Sequence, residues 1–192
     1  IPLLNIMSVT VLTRHAGNGD ISARALLVQL ARNPFIWSCL IGAVINEAPE
    51  LFCAVVTQVP FVDALTTTLD PSMPLTQGEW EEWGNPLADA EVYAYMKSYA
   101  PYENVRAERY PAVLATTSLN DTRVFFVEPA KWVQQLRRTV TSDQSERPIL
   151  LKTEMVAGHG GVSGRYESWK EAAFETAYLL DRLGATQIVY GG

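Results

Sequence analysis

His159 is the residue best placed to do chemistry. It stands in Ala157-Gly158-His159-Gly160-Gly161, directly after the apolar run 149–156, and the glycines around it let the backbone turn tightly and leave the imidazole uncrowded. An imidazole changes charge near neutrality, which suits it to general acid–base work. An ordinary surface or core histidine is the competing reading. His15, in Thr13-Arg14-His15-Ala16-Gly17, has no such setting and is read as structural or incidental. A histidine base needs an anion that holds its tautomer and stabilises the imidazolium. Asp121 is the candidate, in Ser118-Leu119-Asn120-Asp121-Thr122-Arg123 after the apolar run 111–118. Here the competing reading is an Asn-Asp turn whose side chains bond the backbone.

Acid first and histidine last, each after a strand, is the chain order of α/β-hydrolases, in which a serine precedes both. That fold displays its nucleophile on a Gly-x-Ser-x-Gly elbow, because the tight strand-to-helix turn leaves no room for side chains two residues either side. No such elbow is present. The upstream serines are Ser8, Ser22 and Ser38. Ser38 is flanked at the critical offsets by Ile36 and Leu40, and Cys39 by Trp37 and Ile41, so neither suits the turn. A second cluster, Glu79, Glu81 and Glu82, alternates with Trp80 and Trp83. Carboxylates beside indole faces can hold a guanidinium by paired hydrogen bonds and stacking. The alternative is a solvated turn whose tryptophans cover the core.

The elements that must carry these residues read as α/β. Runs 51–59, 111–118 and 149–156 are apolar and rich in β-branched residues, as expected for strands buried on both faces. Segment 128–138 opens on Glu128-Pro129 and closes on Arg137-Arg138, matching the helix dipole at both ends, with Trp132, Val133 and Leu136 as its apolar stripe. Segment 165–183 spaces Tyr166, Trp169, Ala173, Ala177 and Leu180 by three and four residues, predicting a helix that Gly184 ends. Two earlier helices are predicted, a short one over 22–32 and an apolar one over 36–46 that stops near Ala48-Pro49. Alternating strands and helices imply a parallel sheet with helical crossovers. Between the first two strands, 61–109 is a long insertion with a helical patch over 92–99, a length that usually carries recognition.

Composition sets the outer limits. The 192 residues are 48% hydrophobic and 19% charged, with a net charge of −6, an ordinary globular mix for one domain. The acidic balance and lack of basic runs argue against nucleic acid, which is bound by neutralising phosphate. The longest uninterrupted apolar stretch, 51–56, is far short of a membrane span. The two cysteines, Cys39 and Cys53, form no disulfide framework or metal spacing, which fits a reducing, cytoplasmic setting. No cofactor or metal is expected.

From about Leu40 onward the chain resembles the catalytic portion of the oligopeptidase B group, in the prolyl oligopeptidase family of serine peptidases. The resemblance is carried by Ala48-Pro49-Glu50-Leu51-Phe52, Glu79-Trp80-Glu81-Glu82-Trp83-Gly84-Asn85-Pro86, Asn120-Asp121-Thr122-Arg123-Val124, Glu128-Pro129-Ala130-Lys131-Trp132-Val133 and Gly158-His159-Gly160-Gly161. It implies a partial α/β-hydrolase fold, the carboxyl-terminal half of the mostly parallel sheet with its flanking helices. Asp121 would be the triad acid and His159 the general base. Glu79 with Glu81 would receive the basic side chain of short peptides cleaved after Arg or Lys.

Counting back from Leu40-Ile41-Gly42-Ala43-Val44, the family's serine-bearing segment falls over 33–38, and Phe35 stands where the nucleophile belongs. Residues 1–38 are therefore expected to be a foreign or frame-shifted leader, 39–186 the catalytic-domain part, and 187–192 a tail. The amino-terminal half and the β-propeller of a full-length relative are expected to lie elsewhere. The expected function is a serine-type oligopeptidase inactive as this chain alone. The alternative is a non-catalytic module that binds basic peptides through its acidic pocket.

Overall fold

Val113, Leu114 and Ala115 are completely or almost completely buried, and the strand that carries them is the centre of the sheet. The computed structural model describes residues 34–73, 76–159, 161 and 165–185. Three parallel strands, β1 (Ala54–Gln58), β2 (Ala112–Ser118) and β3 (Ile149–Glu154), lie in the order β1-β2-β3. In register, Gln58 pairs with Thr116 and Thr116 with Lys152, while Ser118 pairs with Glu154. The α/β class read from the sequence is therefore the observed one.

The strands are shorter than the apolar runs that announced them, and only β2 is buried along most of its length. The outer two have a neighbour on one side only among the described residues, so β1 and β3 are mostly half-buried. The first residue of the first run, Leu51, is exposed and closes a 3-10 turn, Pro49–Leu51, so the strand starts only at Ala54.

The described residues fold as two units, one made of 34–43 and Phe61–Asn104, the other of Val44–Pro60 and the described residues from Val105 onward. Helix α1 (Pro34–Glu47) contains both Phe35 and Ser38 and runs unbroken through the expected boundary after 38. It buries Cys39, Ala43, Ile45 and Asn46 while exposing Ile41. The predicted helix over 22–32, together with His15, Ser8, Ser22 and the tail 187–192, lies outside the described residues.

In the first unit the insertion is helical rather than irregular: α2 (Ala64–Thr68), α3 (Thr76–Trp83) and α4 (Ala90–Tyr99). Trp80 Nε1 donates to Thr68 O at 2.8 Å and Thr76 Oγ1 to Thr67 O at 2.9 Å, tying α3 to α2. Phe61, Trp83 and Tyr99 form a chain of ring contacts with centroids 6.0 and 6.4 Å apart. Gly84 stops α3 at φ +90°, and a Cβ there would lie 2.8 Å from Val92 Cγ1, so glycine is needed for both backbone and space. Asp89 then caps α4, accepting from Glu91 N at 2.8 Å and Val92 N at 3.4 Å.

In the second unit, α5 (Val127–Thr139) connects β2 to β3 and packs on both. Its stripe behaves as the spacing demands: Trp132, Val133 and Leu136 are essentially inaccessible, each contributing roughly 1.5–3 kcal/mol of burial. Arg137 Nε donates to Ile149 O at 2.8 Å, fastening the helix to β3. Tyr110, fully buried before β2, donates its hydroxyl to Asn46 Oδ1 at 2.8 Å and accepts from Arg106 N at 3.1 Å.

The last helix, α6 (Arg165–Arg182), is where the pattern misled. It has no buried residue among those described; Tyr166 is 65% and Trp169 58% exposed. What faces the sheet is the opposite, charged side. Lys152 is bonded to Glu171, Gln58 Nε2 donates to Glu175 at 2.6 Å, and the Lys152 ammonium lies 4.7 Å from the Phe174 ring centre. Polar ends of β1 and β3 offer charge rather than an apolar bed, so the helix docks through its carboxylates.

Candidate active site

Asp121 and His159 meet. β2 ends at Ser118 and a tight turn follows, with Asp121 N donating to Ser118 O at 3.2 Å. The Asp121 carboxylate is fully buried. Its Oδ1 accepts from Arg123 N at 2.8 Å and Val124 N at 3.0 Å, which fixes the group rigidly. Its Oδ2 lies 2.8 Å from His159 Nδ1, across 38 residues of sequence. Asp121 both closes the turn and contacts the His159 ring, because a carboxylate has two oxygens that can serve separate partners.

His159 stands beyond β3 on a turn closed by Gly161 N donating to Gly158 O at 3.0 Å, with Gly161 at φ +70°. An ionised carboxylate only accepts, so the ring nitrogen facing Asp121 carries the proton and Nε2 is left with its lone pair. That is the tautomer a general base requires. The ring is about one-third exposed and lines a cavity of about 260 Å³ with Gln58, Ser118, Lys152, Glu154 and Ser168. These include the last residues of all three strands, so the cavity opens at the carboxyl edge of the sheet, where open α/β sheets hold their ligands.

Glu79 and Glu81 belong to the first unit, on α3. Two positions along a helix turn through roughly 200°, so such residues do not share a face. Glu79 is accordingly buried and Glu81 exposed. Trp83 on the same helix is buried, so the core-covering reading of that tryptophan holds beside any binding role of the acids.

Ser38 lies within α1, and Cys39 is buried in the same helix, positions unlike an exposed strand-to-helix turn. Neither Cys39 nor Cys53 is part of a disulfide. Among the described residues no group of three or more His, Cys, Asp or Glu side chains could hold a metal ion, and no helix is long and apolar enough to cross a membrane. Asn120, read from the sequence only as part of an Asn-Asp turn whose side chains bond the backbone, does so across to the histidine loop, which its local sequence did not indicate.

Comparison with known proteins supplies the wider frame. Protease 2 of Moraxella lacunata is 51% identical over 154 residues, covering 80% of this chain and 22% of that protein. Dipeptidyl aminopeptidase BI of Pseudoxanthomonas mexicana is 47% identical, covering 76% of this chain and 20% of its own length. Among solved structures, oligopeptidase B from Leishmania major superposes with a TM-score of 0.75 at 46% identity, over 79% of this chain and 20% of that one. Oligopeptidase B from Trypanosoma brucei, in a closed form with covalently bound antipain, gives 0.73 at 44%. The chain thus spans about a fifth of the length of these relatives, and its parallel sheet with flanking helices is part of the α/β-hydrolase fold. Residues 38–186 match the profile described as the prolyl oligopeptidase family, and with that match, these identities and a shared fold, the chain belongs to the prolyl oligopeptidase family.

Proposed function

We propose that this chain carries the acid and the base of a serine-type peptidase site that cleaves short peptides after Arg or Lys, and that it is inactive by itself for want of a nucleophile. The observation that carries the reading is the 2.8 Å contact between His159 Nδ1 and a wholly buried Asp121 carboxylate. In the reaction, His159 Nε2 takes the proton of a serine hydroxyl as it attacks the peptide carbonyl, then gives that proton to the leaving amine. Asp121 stays ionised and stabilises the imidazolium between those two steps. Glu79 and Glu81 supply negative charge for the basic side chain on the amino side of the scissile bond. The wider resemblance to proteins named Protease 2 and oligopeptidase B supports the same assignment.

Inactivity follows from Phe35 occupying the position expected for the serine. Loss of a triad serine removes about 10⁶-fold from kcat in a comparable enzyme. Hydrolysis of an arginyl amide by the chain is therefore expected to equal that of its His159→Ala variant. Turnover above that control would overturn the inactive assignment.

A second reading is a non-catalytic module that holds basic peptides through the same acids, favoured by the burial of Glu79 on α3. Calorimetry with an arginyl peptide separates the two. Heat that disappears in Glu79→Gln supports peptide binding, and no heat with the unmodified chain excludes the module.

A further inference from the structure

The loop that carries His159 is held in an unusual way. Its leading side chains, Met155 and Val156, are 61% and 82% exposed, so apolar packing does not fix it. Its ties are polar: Val156 N donates to Glu154 Oε1 at 2.9 Å, and the others run to the neighbouring turn after β2. Asn120 Nδ2 donates to Val156 O at 3.0 Å and reaches Met155 O at 3.5 Å. Leu119 N donates to Glu154 O at 2.7 Å, carrying the β2–β3 ladder one step past the strands. Asn120 O also lies 3.4 Å from where a Cβ on Gly158 would stand, so the loop rests against this turn immediately before the histidine.

From this geometry we propose that Asn120 is a positioning residue for His159, acting through the backbone carbonyls of the loop. The inference rests on the reading of Asp121 and His159 as an acid–base pair. Asp121 is locked by its own two backbone bonds, and its immediate neighbour grips the loop three residues before the imidazole. One turn therefore supplies both the acceptor and the clamp: the β2–β3 register brings the two residues to one edge, and this turn holds the loop there. Without the amide, the described part of the loop loses its tie at Met155 and Val156 to this turn, and a segment with exposed apolar side chains then opens locally at smaller free-energy cost.

The test is ring ¹⁵N NMR of His159 in the full chain at neutral pH, read through the non-labile ring protons. The ratio of Nδ1–H to Nε2–H tautomer reports engagement with Asp121. Asn120 is exposed, so Asn120→Ala and Asn120→Leu leave the core intact; the second keeps bulk and removes both donors. In each, the ratio is expected to fall about fivefold towards free imidazole, the equilibrium worth of one ordinary hydrogen bond. A role in stability alone would lower Tm without moving the ratio. An unchanged ratio in either variant, whatever its Tm, overturns the proposal. A chain whose ratio also ignores Asp121→Asn would instead overturn the acid–base reading, so the two failures are distinct.

Discussion

Replacing Asp121 by Asn exchanges one heavy atom, an oxygen for a nitrogen, and should reverse the imidazole. The side-chain oxygen facing Arg123 N and Val124 N must remain an acceptor, since two N–H groups point at it from 2.8 and 3.0 Å. The new amide nitrogen is thereby forced into the place of Oδ2, 2.8 Å from His159 Nδ1. Donor would then face donor unless the ring moves its proton to Nε2 and accepts through Nδ1. A hydrogen bond to a charged group contributes about 1.5–3 kcal/mol, and its loss shifts the tautomer ratio by roughly 10-fold to 150-fold before the new bond is counted. In a serine protease the same substitution leaves the geometry intact and lowers kcat by about 10⁴-fold through the wrong tautomer. Ring ¹⁵N NMR should find the proton on Nδ1 in the parent chain and on Nε2 in Asp121→Asn. Because Asn keeps the turn, its Tm should exceed that of Asp121→Ala, which leaves the buried Val124 N–H unpaired. Finding one tautomer in both parent and Asn variant would refute the reasoning.

Other outcomes follow from packing and charge. Burial pushes the Tyr99 hydroxyl well above its ordinary value, so the folded form holds its proton while the unfolded chain, titrating near about 10, releases it. The unfolded state then binds fewer protons, and stability should decline as pH rises above about 10. The absorbance of tyrosinate should show Tyr99 ionising only with unfolding, and Tyr99→Phe, which removes a buried hydroxyl with no recorded hydrogen bond, should soften the alkaline decline. Trp132→Ala should cost about 3–5 kcal/mol in denaturant unfolding, as expected for emptying a fully packed indole site. Gly84→Ala should lower Tm, since φ +90° and the 2.8 Å approach to Val92 both oppose a side chain. Trp169, exposed on α6, should be quenched by acrylamide almost as fast as free tryptophan, and a protected indole there would show that something covers the helix.

Legibility differed between elements for identifiable reasons. Helix α5 was readable because its charges, proline and stripe all agreed, and its stripe is buried. Helix α6 had an equally clear period, yet the stripe points outward, because period marks a face without saying what lies beside it. The three strands were recognisable from apolar content, while two of their ends moved inward: a 3-10 turn takes up the start of the first run, and the exposed Met155 and Val156 lie beyond β3 in the histidine loop. The acidic, tryptophan-bearing segment gave no hint that it was helical; its helix is held by bonds from Trp80 and Thr76 to the preceding helix.

The amino-acid sequence by itself determined the α/β class, the candidate acid and base, the family and the Phe at the expected serine position, because residue type, order and local motif are properties of the chain alone. Only the tertiary structure decided that Asp121 and His159 touch, that one carboxylate oxygen serves the turn while the other serves the ring, and that Asn120 grips the loop between them. Those facts depend on the register of β2 against β3, which brings residues 38 positions apart to the same sheet edge. Distances across a sheet are set by pairing and packing, and no spacing along the chain encodes them directly.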